Sequence, residues 1–254
     1  MLSSTEPLSV FNIESYKSLL KNCQFLLLMV SYGIAIGCYM TFVTLVTQIL
    51  NPFFEDTTPS EINLLVAKMS FTRTIAGFFG SVLAGILLDR YPYFKIAFTI
   101  NYLFMAASLV GFTICVVFGG VVEQFVLMGM VGLFGNSSYS FAFQLGTEIT
   151  FPAPESTMTG LLSVTSHLIS LILTQIVQFE IDYFEGTCVG SKYSLGTIAV
   201  VLGCGLVIAA VIKEERRREI ASNLQALSSV NVAPIGSPSP DRFDGLVIKI
   251  SHLN

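Results

Sequence analysis

Ser163, His167, Ser170, Thr174 and Gln178 recur at intervals of four, three, four and four residues inside an otherwise apolar stretch. On a helix all five share one face. An imidazole there can hydrogen-bond a bound molecule or change its charge near neutral pH. It can equally rest neutral against a neighbouring helix, with the serines and threonine serving as helix-contact glue. Further polar sets lie in two other apolar stretches: Tyr32, Tyr39, Thr41, Thr44 and Gln48, and Asn136, Ser137, Tyr139 and Gln144. Tyr32 can offer its ring face to a cation, or it can simply pack with its hydroxyl bonded. From these sets Tyr32, Asn136, Tyr139, Ser163, His167 and Ser170 are the candidate binding residues.

The elements that position them follow from composition. Of 254 residues 53% are apolar and 12% charged, against about 25% charged in soluble domains, and the mean hydropathy is +0.72. The apolar residues come in runs of about 20 or more, the length a helix needs to cross about 30 Å of hydrocarbon. They do not alternate as barrel strands would. The expected fold is therefore all-α, a polytopic membrane protein with six transmembrane helices. Spans are expected at 23–50, 63–88, 94–118, 123–147, 158–178 and 193–212, forming one bundle over residues 23–213. Polar breakers with Pro and Gly separate them. His167 then lies about nine residues, roughly 14 Å, from its helix start and near the bilayer midplane. At that depth polar side chains face a bundle interior or a wet cavity.

Lysine and arginine set the orientation, because cytoplasmic loops carry the excess. Lys17, Lys21, Arg90, Lys95, Lys213, Arg216, Arg217 and Arg218 fall on one side and only Lys192 on the other. Both termini are therefore expected in the cytoplasm, although the loop from Gly146 to Glu155 on that side has no basic residue. Residues 1–22 read as a polar cytoplasmic segment, and the first span is too long for a signal-peptide core. The tail, 214–254, includes Gly236-Ser237-Pro238-Ser239-Pro240 and lacks apolar periodicity, so it is expected to be largely disordered.

Several classes are excluded. The chain has no phosphate-cradling glycine loop, nucleophile elbow or His-rich metal set, and its five cysteines show no metal or redox spacing. No enzyme activity, cofactor or nucleic-acid partner is expected. The Asn136-Ser137-Ser138 sequon sits at membrane depth, out of reach of glycosylation. Gly33 and Gly37, and Gly77, Ser81 and Gly85, repeat small residues every four positions, a helix-packing signal. Lys68 and Arg73 stand inside the second span. Arg73 either snorkels outward to Glu55, Asp56 or Glu61, or acts at an outer gate.

Gly85-Ile86-Leu87-Leu88-Asp89-Arg90, a G-x-x-x-D-R hexamer, closes the second span and marks a water interface. With the following Tyr91-Pro92-Tyr93-Phe94-Lys95 it resembles the loop signature of the major facilitator superfamily, and six spans match one half of that fold. The match extends through Ser31-Tyr32-Gly33-Ile34, Ala76-Gly77, Glu148-Ile149-Thr150-Phe151-Pro152 with Glu155, and Gly160-Leu161-Leu162. In this order the segments resemble the carboxyl-terminal half of the feline leukaemia virus subgroup C receptor-related transporters, over about residues 20 to 218.

The resemblance implies a multi-pass carrier of a small organic solute. Choline and ethanolamine are the solutes associated with that family, and haem export has been proposed for some members. It implies that Tyr32 is the cavity tyrosine that contacts a quaternary ammonium. His167 stands where that family usually has glutamine, and Gln144 where it often has glutamate. It further implies a gate made of Gly85, Asp89, Arg90, Glu148 and Glu155. Asp89 is expected at the amino end of the fifth helix, where the dipole favours an anion, and Arg90 is expected to pair with Glu148. Alternating access needs two halves around a midplane site, so the expected partners are the lipid bilayer, the solute and a second six-helix half or a full-length relative. The plasma membrane is the expected location. A truncated or regulatory membrane protein that associates with a full-length transporter is the alternative.

Overall fold

The computed structural model describes Lys17 and residues 19–54, 58–91 and 93–212. The expectations for most of 1–22, for the tail 214–254 and for Glu55 and Asp56 lie outside the described residues. Six long helices are described: α1 (Cys23–Leu50, continued by a 3-10 turn at Asn51–Phe53), α2 (Pro59–Arg90), α3 (Phe94–Phe118), α4 (Val121–Thr150), α5 (Glu155–Tyr183) and α6 (Cys188–Val211). Each is long and apolar enough to cross a membrane, and no strand occurs among the described residues. Several helices outrun their apolar stretches, α4 and α5 most clearly. Once nucleated, helical hydrogen bonding continues into the polar residues at the membrane edge.

Local chemistry sets the ends. The Asn22 side chain accepts hydrogen bonds from the backbone N–H of Gln24 and Phe25, capping α1. Its Nδ2 donates to the Ile149 carbonyl at 3.2 Å, which ties the start of α1 to the end of α4. Pro59 opens α2, where its missing N–H is no loss. Glu61 accepts from the Thr58 backbone N–H (3.2 Å) and hydroxyl (3.0 Å), closing a capping box. The tight turn between α5 and α6 needs a positive φ, supplied by Gly186 at 65°.

In the bundle α1 is the central element. It is the most buried of the six helices, and α2 and α5 are the least buried. α2 packs along α4 and α5 along α1, so α2 and α5 lie on opposite flanks of the α1–α4 pair, while α3 and α6 pack behind it. Close approach is made by glycine. A side chain at Gly80 would strike the Leu133 carbonyl, one at Gly132 the Arg73 carbonyl, and one at Gly77 the Asn136 side chain. Gly33 and Gly37 likewise admit Ile169 of α5. Gly85 has no neighbour within 4 Å of its Cβ position, so the small-residue series of α2 serves packing only in its first half.

Polar groups join the layers. Asn101 donates to the Phe134 carbonyl (3.0 Å) and to Ser138 Oγ (2.7 Å), Tyr102 donates to the Leu202 carbonyl (3.2 Å), and Ser31 donates to the Gly205 carbonyl (3.1 Å). Replacing Gly80 or Gly132 with Leu is expected to force α2 from α4 and to cost about 1–3 kcal/mol. Gly85→Ala should be neutral or slightly stabilising, since it only removes unfolded-state freedom. Thermal unfolding of the three variants in detergent micelles checks this.

Candidate functional site

Tyr32 and Tyr39 stand seven residues apart on α1, on one side and about 10 Å apart along the axis. Asn136, Tyr139 and Phe143 face them from α4, at the three- and four-residue spacing of a single helix face. The Tyr32 ring meets Tyr139 edge-on at 6.1 Å between centroids and Phe143 at 5.9 Å, and Tyr139 meets Phe143 at 6.3 Å. Tyr32 is fully buried, and its hydroxyl has no hydrogen bond of acceptable geometry. The half-buried rings of the group are those of Tyr139 and Phe143.

One helical turn along α4, the Tyr39 hydroxyl donates to Asn136 Oδ1 at 3.2 Å and accepts from Arg73 Nη1 at 2.5 Å. The Arg73 guanidinium carbon lies 5.7 Å from the Tyr39 ring centroid. Arg73 is thus held into the bundle. Glu61, one of its expected partners, is occupied in capping α2. The physical reason is proximity: the Gly132 backbone allows α2 close enough for the guanidinium to reach Tyr39.

The polar stripe of α5 divides. Ser170 and Thr174 face α1, where Thr41 Oγ1 lies 3.3 Å from the Ser170 carbonyl and 3.1 Å from Thr174 Oγ1. His167 is exposed on the flank, and its Nδ1 lies 2.7 Å from the Ser163 carbonyl, which fixes Nδ1 as the donor. The Ser163 carbonyl also accepts from Ser166 Oγ at 2.9 Å. His167 shares no hydrogen bond or ring contact with Tyr32, Asn136 or Tyr139. The structure therefore brings Tyr32, Asn136 and Tyr139 into one patch and leaves Ser163, His167 and Ser170 along its α5 border.

Among the described residues, Asp89 and Arg90 do not meet the partners expected for the gate. Asp89 and Arg90 are exposed at the end of α2 and form no ion pair with a described residue, whereas Glu148 is buried, 7% exposed, inside the bundle. The expected contacts of Asp89 with the start of α5, and of Arg90 with Glu148, are not made. α2 and α5 sit on opposite flanks, and Arg90 turns to the mouth of a cleft of about 530 Å³ between α2 and α3. That cleft includes no other candidate residue, and its walls, among them Leu83, Leu87, Ile100 and Phe104, suit lipid chains better than a polar solute. Glu155 is exposed at the start of α5.

Sequence reasoning missed the link from Arg73 through Tyr39 to Asn136, and the part of Phe143 beside Tyr32. Tyr39 carried one signal, its seven-residue spacing from Tyr32. Phe143 carried none, since an apolar ring in an apolar helix is ordinary.

No protein-family model matches the chain. It is related in sequence to the cat choline/ethanolamine transporter FLVCR1 (26% identity over 234 residues, 92% of this chain and 40% of the relative). It is similarly related to human choline/ethanolamine transporter FLVCR2 (28% over 208 residues, 82% and 38%) and to an uncharacterized MFS-type transporter of Caenorhabditis elegans (28% over 209 residues, 82% and 34%). The chain spans less than half the length of these relatives. In fold it is similar to the Escherichia coli fucose:proton symporter FucP, with a TM-score of 0.58 at 13% identity over 80% of this chain and 46% of that one. Its architecture is that of a six-helix half of the major facilitator fold, in a multi-pass integral membrane protein.

Because Tyr39 joins Arg73 to Asn136, Tyr39→Phe and Asn136→Ala should each destabilise the bundle by about 1–3 kcal/mol, leaving a buried polar group unpaired. The double variant should cost less than the sum, by about 0.5 kcal/mol or more. Unfolding titrations of the two single variants and the double variant measure this coupling.

Proposed function

We propose that the chain is the carboxyl-terminal six-helix half of a membrane carrier for a small organic cation of the choline or ethanolamine kind, completed by a second six-helix half. The observation that carries this reading is the aromatic patch of Tyr32, Tyr139 and Phe143 on the α1–α4 pair. It lies deep within helices of membrane-spanning length, in a chain related to proteins named choline/ethanolamine transporters. An ammonium group too substituted to donate hydrogen bonds is best held by ring faces. Tyr139 and Phe143 meet the cation first, with Tyr32 behind them. Asn136 supplies a hydrogen-bonding group to the solute hydroxyl, and Ser163, His167 and Ser170 border the passage from α5. Nδ1 of His167 is taken up by the Ser163 carbonyl, which leaves Nε2 for the solute.

Transport follows from rocking this half against another around the patch. Gly85, Asp89 and Arg90 close the cytoplasmic side against the completing half, and Glu148 and Glu155 hold the facing ends of α4 and α5. The exposure of Asp89 and Arg90, with no ion pair to a described residue, supports that reading. Both termini lie in the cytoplasm and the carrier sits in the plasma membrane.

Tracer choline uptake should appear when the chain is co-expressed with an amino-terminal six-helix half, and Tyr139→Ala should cut it about tenfold or more. Absence of uptake by the chain alone and by the pair removes choline transport. If uptake by a full-length relative changes instead, the chain is a regulatory partner. In the active pair, Asp89→Asn with Arg90→Ala should slow transport while leaving membrane insertion intact, as read by surface labelling; an unchanged rate refutes the gate.

A further inference from the structure

Arg73 carries a charge for which a simple cation has no use. It stands 14 residues after Pro59 and 17 before Arg90, so it is about 21 Å and 25 Å from the two ends of α2, close to the helix middle. Its side chain is not snorkelled toward either end. Nη1 is bound by the neutral Tyr39 hydroxyl, Nη2 has only a long 3.4 Å contact to Thr74 Oγ1, and Nε is buried without a partner. No Asp or Glu pairs with it among the described residues. A fixed charge at this depth is costly unless water or a counter-charge joins it.

The surroundings are prepared for that counter-charge. A guanidinium presents a planar fork that matches a carboxylate or phosphate. Ser70, Thr74, Gly77 and Ser81 fall on the side of α2 from which Arg73 reaches Tyr39, so this flank is small and polar, not apolar. Through Tyr39 and Asn136 the charge is continuous with the aromatic patch: Tyr139 lies one turn from Asn136, and Tyr32 about 10 Å along α1 from Tyr39. A bare cation on Tyr139 would feel Arg73 as repulsion. A molecule with an ammonium group at one end and an anionic group at the other would use both.

We infer that the solute is a zwitterion, with its carboxylate or phosphate paired to Arg73 and its ammonium group resting on Tyr139 and Phe143. This rests on the cation site proposed above and adds to it an anion subsite at Arg73. Hydrogen bonds to charged groups are worth enough to expect at least tenfold tighter binding of such a molecule than of the cation alone.

The test titrates the chain, co-reconstituted with an amino-terminal six-helix half in lipid nanodiscs, with choline, phosphocholine and glycine betaine by calorimetry. At least one zwitterion should bind tenfold or more tightly than choline. Arg73→Gln should abolish that advantage and leave choline bound at least as well as before. Arg73→Lys keeps the charge but loses the fork, and should retain a reduced preference. Choline binding as tightly as both zwitterions to the unmodified chain overturns the inference and leaves the cation site standing. A zwitterion preference that survives Arg73→Gln overturns it as well. Binding of none of the three overturns both.

Discussion

Hydrocarbon offers no water to replace a lost polar contact, so a polar side chain on a membrane helix must find a partner on another helix or face a wet cavity. α1 concentrates this constraint. Ser31 binds the α6 backbone, Thr41 contacts α5, Tyr39 binds Asn136 of α4 and receives Arg73 of α2, and Asn22 fastens its start to the end of α4. The same helix admits α5 closely at Gly33 and Gly37. The positions of the other helices depend on these bonds, because apolar packing alone gives little preference over contact with lipid.

That arrangement places opposite chemistries next to each other. The aromatic rings of Tyr32, Tyr139 and Phe143 favour a cation, while Arg73, one turn away through Tyr39 and Asn136, favours an anion. A site with both, as inferred above, would select for charge separation as well as for net charge. Its low-dielectric setting strengthens each interaction and makes an unmatched charge costly. The flanking helices α2 and α5 remain the least buried, as fits a half-bundle whose flanks meet lipid or a second half.

Much of the architecture was legible in the residues. Runs such as Cys23 to Leu50 can only be satisfied as helices in a membrane, and the breakers between them mark the turns. The glycine pairs announced close approach, correctly at Gly33, Gly37 and Gly77 but not at Gly85, whose surroundings the local pattern cannot specify. The α5 stripe was legible as one helix face. Which of its residues touch α1 and which stay exposed was not, because a stripe fixes direction about its own axis and says nothing of the neighbour's position. The partners of Asp89 and Arg90 were not legible for the same reason: both were identifiable as interface charges, but what they meet depends on which flank α2 occupies.

By itself the sequence determined helix, membrane and the kinds of polar group available, since hydrophobicity and helical period are properties of contiguous residues. Only the tertiary structure decided that Arg73 turns inward to Tyr39, that Tyr32 is buried against the half-buried Tyr139 and Phe143, and that Glu148 is buried while Arg90 is exposed. Each of those outcomes depends on how closely two separate helices approach and in what rotation. Glycines and hydrogen bonds far apart in the chain set that jointly, and no local spacing encodes it.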